Sequence, residues 1–289
     1  MDSKILVLLG ILLIQCVSGL VLVDGKGEPR NNGAKRERRS EEKKDFLHPP
    51  QCGKREASLW KSHGNDDLAE LGDWPWIAHF ADHCTGVLIS ERHVLTSGRC
   101  APENFNETLV HLGVVDFSKK NETTFPRGYG IERVIKHGDG YTEHDMAIIK
   151  LKEDVVFTDY IRPICIPTIG ELMDNDFRNQ SMYVTHWAVT SLETSPPARL
   201  FQSQLAVVPN SSCKRAWEST SIEVDEKVIC ADYDASNNCQ GDIGGPMMHL
   251  YDGAWYCMGI SFGQRCDRAF PTIFPRPDKY LDFIHSNLD

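Results

Sequence analysis

The sequence predicts an all-β fold, a barrel or sandwich of short strands that ends in one C-terminal helix. Three observations lead there. Apolar runs of strand length recur along the chain, with Gly and Pro between them. Helical periodicity stands out at the end, where residues 278–288, DKYLDFIHSNL, put Tyr280, Leu281, Ile284 and Leu288 on one face. The chain has 289 residues, 41% of them hydrophobic, enough for a real core in one large or two small domains.

The elements follow in order. Residues 5–14, ILVLLGILLI, are a short apolar run after Lys4, and Val17-Ser18-Gly19 supplies small residues for cleavage. A bilayer span needs about 20 apolar residues, so residues 1–19 read as a secretory signal peptide, with a first-helix anchor as the alternative. Residues 20–61 form a polar, charge-rich tail. Within it, Arg36-Glu37-Arg38-Arg39 has the form read by proprotein convertases, with a possible cut after Arg39; a solvated charge run is the plain alternative. The segment GVLISERHVLTS, 86–97, has two apolar runs around a polar turn and predicts a hairpin. MAIIKL (146–151), QLAVVP (204–209) and WYCMGISF (255–262) predict further strands.

Formal charge is −10; without residues 1–39 it is −13, from 24 basic and 37 acidic residues. That balance argues against nucleic acid or an anionic membrane as the main partner, and no segment after the first is long enough to span. Of ten cysteines, Cys16 lies in the leader, leaving an odd nine. In a secreted chain they imply disulfides, and no tight C-x-x-C pair suggests a metal cluster. Asn106, Asn121, Asn179 and Asn210 all begin Asn-x-Ser/Thr tripeptides and predict a glycosylated surface.

Several motifs in order, GDWPWIAHF (72–80), CTGVLISERHVLTSGRC (84–100), HDMAIIKL (144–151), IRPICIP, YVTHWAV, NNCQGDIGGP, ISFGQRC and YLDFI, resemble the trypsin/chymotrypsin family. The likeness runs from about Ala69 to the C-terminus, and DGAWYCMGISFGQRC is nearest to cascade proteases of arthropod haemolymph, without the six further cysteines of their clip module. It implies two packed six-stranded β-barrels, about 62–170 and 171–289, with the C-terminal helix. It also implies the pairs Cys84–Cys100, Cys213–Cys230, Cys239–Cys266 and Cys52–Cys165. Cys257 is left over, as a buried thiol or the link of a disulfide-joined dimer. The family's further bridge would fall on Met182 and His249, neither a cysteine.

The resemblance also places the chemistry. Acyl transfer needs a nucleophile, a base within reach of it and a group that orients the base. The triad positions here are Ile243, Arg99 and Asp145. A sec-butyl group has no hydroxyl, and a guanidinium has no acceptor for a proton. Gly241 and Ile243 would supply the backbone donors of the oxyanion hole. Asp242 is the carboxylate that meets the new amino terminus when such zymogens are cut, yet HGND (63–66) stands at the expected terminus with no basic residue immediately before it. The specificity pocket would be formed by Asn237, Ser261, Gly263 and Thr272, with Thr272 narrowing it. Ser261-Phe262-Gly263 would keep the edge that pairs with an extended peptide. Arg99 and Asp145 are expected to form a buried ion pair in place of the histidine contact.

The expected protein is therefore a secreted, extracellular, non-catalytic serine protease homologue without cofactor or metal. It would act by binding extracellular proteins, namely a protease, its substrate or its inhibitor, as a cofactor, decoy or regulator in a proteolytic cascade. An adhesive or pattern-recognition protein is the alternative. A residual or metal-dependent hydrolase is the second: HGDGYTEHD (137–145) collects His, acidic groups and Tyr, while Asp116 and Glu122 lie where some relatives bind calcium.

Overall fold

The computed structural model describes residues 49, 51–56, 67–80, 84–117, 127–138, 146–188, 199–232, 243–262 and 270–289. The expected leader, the Arg39 site and residues 57–66 lie outside them, as do Asn121 and Glu122.

Six strands close the first barrel in the order β2-β3-β4-β7-β6-β5. They are β2 (Ile77–Phe80), β3 (Cys84–Leu88), β4 (His93–Ser97), β5 (Leu109–Leu112), β6 (Arg127–Lys136) and β7 (Met146–Leu151). The expected hairpin is β3–β4, paired Val87↔Leu95 and Leu88↔Val94. β7 pairs with both β4 and β6 in the barrel wall and is buried at every position, so both of its faces are covered.

The second barrel runs β12-β11-β8-β9-β10-β13. Its strands are β8 (Ser181–Ala188), β9 (Arg199–Val208), β10 (Val228–Asp232), β11 (Pro246–Tyr251), β12 (Ala254–Ile260) and β13 (Thr272–Pro275). A two-residue strand β1 (Asp67–Leu68) joins it against β9, and the Phe262 N–H donates to Ile273 O at 3.2 Å, linking the chain after β12 to β13. β11 pairs with β8 in the register Met247↔Val184 and Met248↔Tyr183, next to the two non-cysteine positions Met182 and His249.

Short helices are α1 (Gly170–Met173), α2 (Asn210–Trp217) and α3 (Leu281–Ser286). The terminal helix begins later than expected, since Pro277–Tyr280 is a 3-10 turn. Asp278 is the reason: its buried carboxylate binds Arg276 Nε at 2.9 Å and Lys279 Nζ at 3.2 Å, which ties down residues a regular helix would turn outward. The expected apolar face holds, with Tyr280, Ile284 and Leu288 all buried.

An aromatic cluster forms part of the main core. Trp255 lies 4.9 Å from Trp74, 6.5 Å from Trp76 and 5.4 Å from Tyr183, with edge or tilted geometry. Onto this cluster docks the tail segment 51–56. Gly53 donates to Pro163 O and accepts from Trp255 N–H. It has φ +64°, and a Cβ there would meet Trp255 O at 2.4 Å, so glycine alone fits. Arg55 follows, its guanidinium 4.9 Å from the Trp74 ring and 4.5 Å from that of Trp255, with Nη1 donating to Asp73 O at 3.0 Å. Burial pulls its pKa down to about 10, opposed by Asp73, so it stays charged at neutral pH.

Candidate functional site

β4 leads into the 3-10 turn Gly98–Cys100, and this turn sets the direction of Arg99. Ser97 Oγ accepts from Arg99 N–H at 3.4 Å and caps the turn. Cys84–Cys100 pins the turn back to β3. With Gly98 and Cys100 buried, Arg99 is the exposed residue of the three.

Its guanidinium turns to Phe262. Nη1 donates to Phe262 O at 3.2 Å, and the cation lies 5.1 Å from the centre of the Phe262 ring. Asp145, its expected ion-pair partner, lies outside the described residues. Arg99 is exposed, which departs from the burial expected of that pair on the arginine side. The long, planar side chain lies against an aromatic face.

Ile243 is half-buried and packs against the main core. Its carbonyl accepts from Thr85 N–H at 2.9 Å, and its backbone bridges Cys84, which docks the segment on β3. Cys100 Sγ is 3.2 Å from the same carbonyl, a packing contact because a disulfide sulfur carries no proton. Gly244 has φ +84°, and a Cβ there would meet Thr96 Oγ1 at 2.1 Å and Thr85 O at 2.2 Å. The fold thus places Ile243 beside the turn that carries Arg99, although 143 residues separate Cys100 from it.

Ser261, Phe262 and Thr272 are buried, and Thr272 sits on β13 opposite Ala231. Ser261 N–H donates to Gly245 O and Ser261 O accepts from Gly244 N–H. The other pocket and hole residues, Asn237, Gly241, Asp242 and Gly263, lie outside the described residues. Sequence reasoning names Phe262 only as part of a peptide edge; its role as the seat of Arg99 is missed, since no local pattern links residues 163 apart.

Three of the four expected disulfides are present: Cys52–Cys165, Cys84–Cys100 and Cys213–Cys230. Cys239 and Cys266 lie outside the described residues. Cys257 is a free thiol with no exposed surface, Sγ 3.5 Å from Gly259 O, and burial pushes its pKa far up. Of the two expectations for Cys257, its complete burial on β12 supports the buried thiol over the link of a disulfide-joined dimer. Among the glycosylation positions, Asn106 and Asn179 are exposed. Asn210 is different, because its Nδ2 donates to Asp225 O at 2.7 Å and Val228 O at 3.1 Å, holding the start of α2 to β10.

No group of three or more metal-ligating side chains occurs among the described residues; residues 139–145 of the HGDGYTEHD segment lie outside them. Asp116 pairs with Arg199 at 3.3 Å. No helix among the described residues is long and apolar enough to cross a membrane.

Comparison with known proteins agrees with this architecture. A model of the trypsin family matches residues 64–284. The chain is 34% identical over 257 residues to the venom serine protease Bi-VSP of Bombus ignitus, covering 82% of this chain and 71% of that protein. It is 34% identical over 233 residues to a venom protease of Bombus pensylvanicus, covering 74% and 94%. It is 28% identical over 264 residues to the proclotting enzyme of Tachypleus tridentatus, covering 83% and 69%. With its two barrels, its tethered tail and these matches, the chain belongs to the trypsin family of serine proteases.

Proposed function

We propose that this protein is a secreted, non-catalytic member of its family that acts by binding other extracellular proteins, as a cofactor, decoy or regulator of a proteolytic cascade. One observation carries the reading. The residue in the base position, Arg99, has no proton acceptor and is engaged with Phe262, while the residue in the nucleophile position, Ile243, packs against the core. Removing a triad member from an active enzyme costs about 10⁴–10⁶ in rate, and here two positions have changed. Meanwhile the barrels, the three disulfides and the docked tail are kept, so the fold is built to persist. Names among the relatives, a proclotting enzyme and CLIP-domain serine proteases, support a cascade setting.

The test is a reconstituted pair of an active cascade protease and its protein substrate, with this protein added at increasing concentration. A saturable change in the cleavage rate supports the reading. No change, together with binding to a cell wall or matrix, favours the adhesive alternative.

A further inference from the structure

We propose that the tail of this protein carries a masked processing site: the Arg55–Glu56 bond is locked against proteases that cut after arginine or lysine, because the Arg55 side chain is held in an aromatic cage of the protein's own. Lys54-Arg55 is a dibasic pair within the docked segment 51–56. Cleavage there requires an extended stretch of backbone with open N–H and C=O groups, and an arginine side chain free to enter the protease. None of these conditions holds in the docked segment.

The backbone before the bond is engaged. Gly53 N–H donates to Pro163 O at 2.8 Å, Gly53 O accepts from Trp255 N–H at 3.0 Å, and Lys54 N–H donates to Gln51 O at 3.2 Å. Gly53 has φ +64°, which bends the chain away from an extended strand, and Cys52 is bridged to Cys165. Lys54 Nζ donates to Gly253 O at 2.9 Å. The arginine is inserted between two indoles, 4.9 Å from Trp74 and 4.5 Å from Trp255, with Nη1 on Asp73 O at 3.0 Å. Tyr183 packs against both indoles, 5.5 and 5.4 Å between ring centres. The segment has to undock before it can be cut, and the disulfide keeps it beside its seat, so redocking is intramolecular.

Hydrolysis at this bond adds water across the amide, leaving a carboxylate on Arg55 and an amino group on Glu56. Residues up to 55 would then depend on Cys52–Cys165 for their covalent link to the barrels. A closed cage keeps them in one chain with the barrels and diverts arginine- and lysine-specific proteases to bonds elsewhere. The cage does this whether the protein acts as cofactor, decoy or regulator.

The experiment is brief digestion of the disulfide-intact chain by trypsin, comparing wild type with Arg55→Lys after each is shown to melt cooperatively. Mass spectrometry follows the peptide that begins at Glu56, so cuts at other basic residues do not interfere. Synthetic peptides of residues 51–61 carrying Cys52→Ser, with and without Arg55→Lys, give the unprotected rates, and the protease is set so that a hundredth of those rates is readable. Where redocking outpaces cleavage, the rate follows the population of the undocked segment. Wild type should be cut after residue 55 about a hundredfold or more slowly than its peptide, since two stacked rings and a charged hydrogen bond oppose undocking. Arg55→Lys keeps a cleavable residue and loses the stacking plane, and should be protected about tenfold less than wild type. If Arg55→Lys does not fold, Trp74→Phe, with a weaker aromatic wall, takes its place and should likewise lose protection. Wild type cut at the rate of its peptide overturns the lock. A variant protected as well as wild type overturns it too, since the turn and the disulfide would then suffice without the cage.

Discussion

Replacing Arg55 by alanine tests how the tail is held on the barrels. The guanidinium lies between two indoles, 4.9 Å from Trp74 and 4.5 Å from Trp255, and donates to Asp73 O at 3.0 Å. A desolvated cation–π contact contributes about 1–2 kcal/mol, and a hydrogen bond from a charged group about 1.5–3 kcal/mol when fully buried. Arg55 is only half-buried and its desolvation offsets part of the gain, so the net loss on truncation is about 3 kcal/mol. The tail remains covalently attached through Cys52–Cys165, so the loss reports the side chain and not detachment of the segment. For a domain of this size, 1 kcal/mol shifts Tm by about 2–4 °C, giving a fall of about 6–12 °C by calorimetry. Arg55→Lys keeps the charge and loses the stacking plane, and should fall about half as far. An Arg55→Ala protein that melts within about 1 °C of wild type would refute the cage, because an ordinary surface substitution has that effect.

Other consequences can be checked separately. Burial, together with Lys150, pulls the pKa of His93 down to about 4. The unfolded imidazole titrates near 6.5, so the unfolded state binds more protons between these values and stability falls as pH drops below about 6.5; the loss reaches about 1–2 kcal/mol at pH 5, and His93→Gln should show a smaller drop in Tm between pH 7 and pH 5. Cys257 should resist thiol reagents in the native protein and react once denatured, with Cys257→Ser removing that signal; a disulfide-linked dimer on a non-reducing gel would contradict its burial. Glycopeptide mapping should find glycans at Asn106 and Asn179 and none at Asn210, whose amide nitrogen already serves two backbone carbonyls; an occupied Asn210 would show that α2 starts differently.

What the sequence discloses follows from how each strand is buried. β7 is legible to the residue because a strand covered on both faces reads as a nearly continuous apolar run, interrupted here at Lys150. β6, RGYGIERVIK, escapes a strand assignment: two glycines and four charged residues interrupt the apolar positions, and a bulge between Ile131 and Arg133 breaks the period. β9 is visible only in its second half. Its first half contains Gln202, fully buried because its Oε1 accepts from Trp74 Nε1 at 2.7 Å, and a polar core residue looks like a surface one in sequence. The sequence starts the terminal helix three residues early because Arg276 and Lys279 are drawn to the carbonyls of Leu172, Met173 and Asn175, tertiary contacts that no local spacing announces. At the site, residue identities give Arg99 and Ile243 their positions. The orientation of Arg99 depends on a carbonyl and a ring brought in from the second barrel, which no local spacing encodes.

The central claim is that this trypsin-family protein does not hydrolyse peptides, and turnover by the purified protein tests it most directly. Wild type and Ile243→Ser should both release no product from a panel of peptide substrates above the rate of buffer, because a restored hydroxyl beside Arg99 still lacks a base. Turnover that survives purification, scales with the protein and changes with substitution at Ile243 or Arg99 would contradict the account.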